Sequence, residues 1–204
     1  IIIFVITSSI FIMGNDLNKL EHVVILTVNG AIGPATLDYI QTGFNDAMIS
    51  DASMIVIEMD TPGGLDRSMR DIIQLILASP VPVITYVSPS GARAASAGTY
   101  ILYASHIAAM SPGTNLGAAT PVSIAPDQTS DKQPTSINDL LGTNDSPTPA
   151  PTQPMDAKMT KAVNDATAYI KSLADLRNRN SDWAQRAVKE GVSLSANDAL
   201  DQNV

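Results

Sequence analysis

Three apolar runs rich in β-branched residues predict buried strands, VVILTV at Val23–Val28, MIVIEMD at Met54–Asp60 and VPVITYV at Val81–Val87. Two segments with helical spacing of apolar residues lie between them, Ala35–Ile49 and Leu65–Ala78. Strands that alternate with helices indicate parallel βαβ units, because a parallel connection needs a crossover of a dozen or more residues. The first half of the chain is therefore predicted to be an α/β domain.

The third strand is followed by a predicted turn, PSGARA, and then by a run of small residues, AASAG, that leads into TYILYAS. HIAAMSP after it has the pattern of a short strand, and GTNLGAATP that of a loop. A further helix is predicted from Met155 to Arg177, with an apolar stripe at Val163, Ala166, Ile170 and Leu173. A second helix is expected after a Ser181–Asp182 cap, and a third from about Ser195.

Two segments differ from this pattern. The first fourteen residues carry no charge, and they fall short of the roughly 20 apolar residues of a membrane span. They fit the hydrophobic part of a signal or anchor, so residues 1–15 are assigned to such a remnant and Ile1 is not expected to be the natural start. A buried first strand is the alternative.

Residues 122–154 are rich in Pro, Ser, Thr, Asp and Gln and contain few large apolar groups. This composition predicts a flexible loop, either a spacer or a lid over a site. The rest of residues 22–204 is expected to form one domain around this loop.

Composition excludes several classes of function. The formal net charge is −8 and the 12 basic residues are scattered, which argues against a nucleic-acid partner. Cysteine is absent, so there are no disulfides and no thiolate metal sites. His22 and His106 are too few for a zinc site made of histidines, although carboxylates could complete one. We expect no metal and no cofactor.

The segment Thr61-Pro62-Gly63-Gly64 comes directly after the second strand. Consecutive glycines there let the backbone turn its N–H groups toward a ligand, and open α/β sheets bind ligands at the carboxyl ends of their strands. An ordinary strand-to-helix turn is the alternative.

Ser96 lies among small residues at the start of a predicted helix that follows a strand. The N-terminus of a helix supplies N–H groups and positive potential, which suit an oxyanion. The same pattern would also suit a helix of small residues packed tightly in the core.

A nucleophilic serine needs a base. Neither His22 nor His106 lies in a loop that would return it to Ser96. The simpler interpretation of each is a histidine whose side chain is satisfied by other partners. Lysine can act instead where burial or nearby positive potential lowers its pKa. Lys158 and Lys161 lie where the polar segment gives way to the long helix, although solvated surface charges are the ordinary alternative.

The segments TPGG, GARAASAGTYILYASHIAAMSPGTNLGAATPV and KAVNDATAYIKSLADLRNRNSDWAQRAVKEGVSLSANDAL resemble the NfeD family of membrane-bound proteases. That family belongs to the ClpP/crotonase-like group and is related to the signal peptide peptidase SppA. The resemblance covers about residues 22–202 without the Pro/Thr-rich loop. It implies an α/β spiral of βαβ units with C-terminal helices.

The resemblance also implies roles for individual residues. Ser96 would be the nucleophile, and the backbone N–H groups of Gly64 (or Gly63) and Ala97 would form the oxyanion hole. The base would be Lys161, which with Asn164 matches the family's Lys-x-x-Asn pattern. On a helical wheel Lys158 lies nearer the apolar stripe, which would favour Lys158 if the helix starts as early as Met155. If the helix starts near Thr160, Lys161 lies in its first turn, and Lys161 is kept as the base.

The implied function is an ATP-independent serine endopeptidase with a Ser–Lys dyad. Its substrates would be hydrophobic segments of membrane-associated proteins, such as a stomatin-like partner. No G-x-x-x-x-G-K-[ST] motif is present. The domain is expected to be membrane-associated, extracytoplasmic and homo-oligomeric, as a dimer or larger. The alternatives are an inactive scaffold of the same fold and a crotonase-like acyl-CoA hydratase or isomerase.

Overall fold

The computed structural model describes residues 22–122 and 157–204. Along the chain the elements are β1 (Val23–Asn29), α1 (Pro34–Ile49), β2 (Met54–Asp60), α2 (Asp66–Ala78), β3 (Val83–Val87), β4 (Arg93–Ala95), α3 (Ala97–Ala104), β5 (Ile107–Met110), β6 (Asn115–Gly117), α4 (Ala157–Leu176), α5 (Ser181–Lys189), β7 (Ser193–Ser195) and α6 (Ala196–Asp201). The predicted alternation of strands and helices in the first half is confirmed.

The central sheet has four parallel strands in the order β1-β2-β3-β5. In the register of this sheet Ile55 lies between Val24 and Val83. Ile55 and Ile57 on β2 are fully buried, because alternate side chains of this internal strand point into the core. The carboxyl end of β2, where the TPGG segment begins, is therefore fixed by strands on both sides.

Helix α2 packs against α1 and α3 through one apolar face. Met69, Ile72, Ile73 and Ile76 are buried there at the spacing of successive helical turns. Leu77, whose spacing extends the same stripe, is 41% exposed, because it lies at the border of the buried face.

A second, three-stranded sheet has the order β4-β6-β7, with β4 and β6 parallel and β6 and β7 antiparallel. The predicted turn PSGARA and the predicted loop GTNLGAATP are both corrected here, because each contributes one of these strands. Strand β7 was not predicted. Strands of three residues are too short for an alternating pattern, and pairing with distant segments determines them.

The C-terminal part consists mainly of helices, of which α4 packs on α3 and α5 packs on α4. In α4 the predicted stripe is buried at Ala166, Ile170 and Leu173. The cap of α5 is Asn180 and not the predicted Ser181–Asp182 pair, since the Asn180 side chain accepts the Trp183 N–H at 2.9 Å.

The hydrophobic remnant predicted at residues 1–15 and the flexible loop predicted at 122–154, apart from Val122, lie outside the described residues. Within residues 22–122 and 157–204, no helix has the length and apolar character needed to cross a membrane.

Candidate active site

The segment that follows β2 runs beside the strand that precedes Ser96. The Thr61 N–H donates to the Arg93 carbonyl at 2.8 Å, and the Ala95 N–H donates to the Thr61 carbonyl at 3.1 Å. The Thr61 hydroxyl accepts the Gly63 N–H at 3.1 Å. These bonds hold the TPGG turn against β4 and so against the serine.

Both glycines of this turn allow close approach of other chain segments. A Cβ atom at Gly63, whose φ is +113°, would lie 2.6 Å from the Ser96 Cβ atom. A Cβ atom at Gly64 would lie 2.0 Å from the Ile32 carbonyl oxygen. Ile32 forms two backbone hydrogen bonds with the turn, donating to Gly63 and accepting from Leu65, each at 2.8 Å. Any side chain at either position would disrupt this packing.

Ser96 is the N-cap residue of α3 and has φ +52° and ψ −116°. Few residues with a side chain adopt this conformation, and it persists only where the surroundings fix it. Its N–H donates to the Gly117 carbonyl at 2.9 Å, and its carbonyl accepts the Thr99 N–H at 2.9 Å. The backbone of Ser96 is thereby held in a strained conformation.

Thr99 supports this arrangement, although no sequence motif singles it out. Its buried hydroxyl lies 2.8 Å from the Ala94 carbonyl and 3.0 Å from the Gly117 carbonyl, and it accepts the Gly117 N–H at 3.0 Å. It thus links β4, α3 and β6. The available signal was a threonine in a helix whose other residues are small, aliphatic or aromatic, because buried polar groups need partners.

Ser96 opens into a cleft of about 150 Å³. The residues that line it are mostly apolar: Gly64, Asp66, Met69, Ser96, Ala97, Tyr100, Ala119, Pro121, Val122 and Ala166. The structure therefore brings together Ser96, Gly64 and Ala97. Gly63 does not line the cleft, and its N–H is already bonded to Thr61.

Two backbone donors are available beside the serine. Within the described part of the chain, the N–H groups of Gly64 and Ala97 donate to no protein acceptor. Ala97 is the first residue of α3, so its N–H lies at the positive end of the helix dipole. The pair has the chemical character required of an oxyanion hole.

Tyr100 forms a wall of the cleft. Its hydroxyl donates to the Ala119 carbonyl at 3.1 Å. Burial raises the pKa of Tyr100 well above its usual value, and the charge of Asp66 adds to this effect. The phenol is therefore protonated at neutral pH and cannot serve as the base.

Neither candidate lysine lines the cleft. Lys158 and Lys161 are both exposed, and Ala166 is the residue that α4 contributes to the cleft lining. The helix already includes Ala157, so Lys158 falls in its first described turn and Lys161 in the next. The choice of Lys161 over Lys158 stays a prediction.

His106 lies at the far end of α3 from Ser96. Eight helical residues at 1.5 Å each separate them by about 12 Å. The Nδ1 atom of His106 accepts the Val83 N–H at 3.2 Å. Burial, and next the positive charge of Arg177, lower the pKa of His106. His106 is therefore bonded to β3, and its side chain lies too far from Ser96 to act as the base.

A family model described as "NfeD1b, N-terminal domain" matches residues 22–175. The chain belongs to this family. It is 36% identical over 182 residues to the membrane-bound protease PH1510 of Pyrococcus horikoshii, across 89% of this chain and 36% of that protein. It is 36% identical over 112 residues to the membrane protein NfeD1b of Bacillus subtilis, across 53% of this chain and 25% of that protein. The chain thus spans about a third or less of these relatives.

Solved structures of the "1510-N membrane-bound stomatin-specific protease" are similar to this NfeD domain. A serine-to-alanine mutant has a TM-score of 0.72 and 36% identity, and the match covers 90% of this chain and 77% of that chain. A lysine-to-alanine mutant in complex with a substrate peptide has a TM-score of 0.72 and 35% identity, with coverage of 90% and 73%. The predicted ClpP-like α/β fold is confirmed.

Proposed function

We propose that this NfeD domain is a serine endopeptidase in which Ser96 is the nucleophile and Lys161 the general base. The observation that carries the proposal is the strained Ser96 at the N-terminus of α3, in a cleft beside the N–H groups of Gly64 and Ala97. Support comes from the relatives that are named proteases and from their serine and lysine mutants.

The reaction begins when neutral Lys161 takes the hydroxyl proton as the Ser96 Oγ atom attacks a peptide carbonyl. The oxyanion accepts hydrogen bonds from the N–H groups of Gly64 and Ala97, and each such donor is worth about 3–4 kcal/mol. Collapse of the intermediate breaks the C–N bond, and the leaving amine takes the proton from Lys161. Water, deprotonated by Lys161, then hydrolyses the acyl-enzyme and frees Ser96.

This mechanism places a requirement on α4. Because Lys161 is exposed and does not line the cleft, the first turns of α4 must approach Ser96 when a substrate occupies the site. Catalytic contacts often tighten only in the complex with substrate. Lys161, with Asn164 three residues later, remains our choice because it matches the family pattern.

The substrate that we propose is a hydrophobic segment of a membrane-associated, stomatin-like protein. Met69, Ala119, Pro121, Val122 and Ala166 give the cleft an apolar lining, which favours apolar side chains. The structural relatives are described as specific for stomatin. We further propose that the domain acts without ATP, as a homo-oligomer, on the extracytoplasmic side of a membrane.

A catalytically inactive scaffold of the same fold is the second candidate. The observation that favours it is the absence of Lys158 and Lys161 from the cleft lining. The crotonase-like alternative needs a carboxylate base, and among the described residues Asp66 is the acidic one that lines the cleft. Its carboxylate is occupied in an ion pair with Arg70 at 3.0 Å. This pairing argues against the hydratase or isomerase.

Labelling with a serine-directed phosphonate separates the protease from both alternatives. We expect the wild-type chain to be labelled at Ser96, and we expect Ser96→Ala to lose both labelling and cleavage of an apolar peptide. Ser90→Ala is the control, since Ser90 is an exposed serine that precedes β4. Cleavage that survives in purified Ser96→Ala protein would end the serine mechanism.

A further inference from the structure

The part of α4 that carries Lys161 is weakly packed. From Ala157 to Asp165 no residue is buried, and the buried side chains of this helix begin at Ala166. Val163 is half-buried and contacts the edge of the core. The position of Lys161 therefore depends on the contacts that hold this exposed part of the helix to the rest of the domain.

Arg70 on α2 makes such a contact. Its Nη2 atom lies 2.5 Å from the Oδ2 atom of Asp165, and its Nε atom lies 3.0 Å from the Oδ2 atom of Asp66. Its guanidinium carbon lies 4.4 Å from the centre of the Tyr169 ring. We call Arg70, Asp66, Asp165 and Tyr169 the Arg70 cluster. It connects α2 with two successive turns of α4.

The Arg70 cluster differs from an ordinary surface ion pair. The Arg70 side chain is only 30% exposed, and its planar guanidinium bonds two carboxylates while it stacks on a ring. Burial lowers the pKa of Arg70, but the charges of Asp66 and Asp165 more than offset this and raise it above its ordinary value. On the same helix, the pair of Arg67 and Asp71 is 3.9 Å apart, and Arg67 is 92% exposed.

The cluster also joins two helices that line the cleft. Asp66 of α2 lines it, and Asp165 directly precedes Ala166, through which α4 lines it. Asp165 is one helical turn beyond Lys161. We propose that Arg70 is a positioning residue: it holds α4 at Asp165, one turn beyond Lys161, and so directs the approach of the Lys161-bearing turns to Ser96 when a substrate is bound. The inference rests on the proposed function, since Lys161 is its base.

The test compares Arg70→Met with Arg67→Met in the full chain, on an apolar peptide substrate. Because misplacing a catalytic group by about 1 Å can cost on the order of 100-fold, Arg70→Met should lower kcat by about 10- to 100-fold. The apolar lining is unchanged, so KM should shift by less than about threefold. Arg67→Met should behave as the wild type. An Arg70→Met variant with wild-type kcat would overturn the proposal.

A double-mutant cycle shows whether Arg70 acts through the lysine. In a Lys161→Ala background, Arg70→Met should cause no further loss of the residual rate, because residues that act as a unit are not additive. Equal losses in both backgrounds would show a purely structural role. If Arg70→Met does not fold, Asp165→Asn removes the contact at α4 alone and takes its place in both experiments.

Hydrogen exchange separates failure of this inference from failure of the proposed function. The amides of residues 157–165 should exchange about fivefold faster in Arg70→Met than in Arg67→Met, because the ion pair holds this part of the helix. Equal exchange would overturn the inference even in an active protease. A wild-type chain without hydrolysis would instead overturn the proposed function, and exchange would still show whether Arg70 holds α4.

Discussion

The surroundings of Ser96 and the first turns of α4 hold the two proposed catalytic side chains in opposite ways. Backbone hydrogen bonds from β6 and α3 fix Ser96, and Gly63 packs against its side chain. The described part of α4 before Ala166 has no buried residue, and side-chain contacts such as that of Arg70 hold it. The proposed nucleophile is fixed by main chain, and the proposed base by side chains.

This difference has a physical reason. A residue with φ +52° costs about 1–3 kcal/mol, so it persists only where several contacts define its position together. A general base needs no strained backbone, and its distance from the nucleophile can change between the free and the substrate-bound state. Substitutions near Ser96 should therefore change stability and activity together, and those in the first turns of α4 should change activity alone.

The largest effect is expected at Lys161. Lys161→Ala should lower kcat/KM by at least about 10³-fold, because a dyad loses function when either member is removed. The side chain is exposed, so the free energy of unfolding should change by less than about 0.5 kcal/mol. Peptide cleavage and urea unfolding of the same preparation measure the two quantities.

Lys158→Ala is the matched control, since Lys158 lies one turn earlier on the same helix and is also exposed. It should retain nearly all of the activity. Loss of activity in Lys158→Ala, with Lys161→Ala unaffected, would move the base to Lys158. Loss of folding in Lys161→Ala would contradict the view that the first turns of α4 contribute little to stability.

A smaller effect, on stability, is expected at Gly64. The Cβ atom of Gly64→Ala would lie 2.0 Å from the Ile32 carbonyl oxygen, and backbone must move to make room. The two hydrogen bonds between Ile32 and the turn would be disturbed. We expect the free energy of unfolding to fall by about 3 kcal/mol, which urea unfolding measures.

Gly33→Ala is the control for Gly64→Ala. A Cβ atom at Gly33 would have no heavy atom within 4 Å, and its φ of −145° suits any residue. Since Gly33 is the N-cap of α1, where alanine is less favourable, a loss below about 1 kcal/mol is expected. Equal losses in the two variants would show that the close contact at Gly64 does not exist in solution.

The strands and helices of the central fold could be predicted from sequence because their apolar patterns are long. The β2 run Met54–Asp60 and the buried face of α2 both follow the expected period. The strands β4, β6 and β7 could not be predicted, because three residues such as Arg93–Ala95 carry no period. Their pairing depends on segments distant in sequence, such as the hydrogen bond from Ala95 to Thr61.

The site was only partly accessible from sequence for a related reason. Small residues around Ser96 and the glycines after β2 indicated a close approach, and the structure brings Gly64, Ser96 and Ala97 to one cleft. The Arg70 cluster was not foreseen. Arg70 and Asp165 are 95 residues apart, and nothing in the sequence distinguishes this arginine from the others of an amphipathic helix.

The smallest effect concerns the backbone of Ser96. It is also the most direct test of how rigidly the main chain holds the proposed nucleophile. At φ +52° and ψ −116° an alanine keeps the strain of a Cβ atom, whereas glycine adopts this conformation freely. Both variants lack the hydroxyl, so their difference reports the backbone alone. We expect Ser96→Gly to be more stable than Ser96→Ala by about 1 kcal/mol in urea unfolding, even though glycine raises the entropy of the unfolded chain.

The control is Ala168, which is exposed within α4. Ala168→Gly should be less stable than the wild type by about 1 kcal/mol. Opposite signs at the two positions would confirm that Ser96 is held in strain. If glycine is less stable than alanine at both, the serine relaxes in solution, and its surroundings define it no better than those of Lys161.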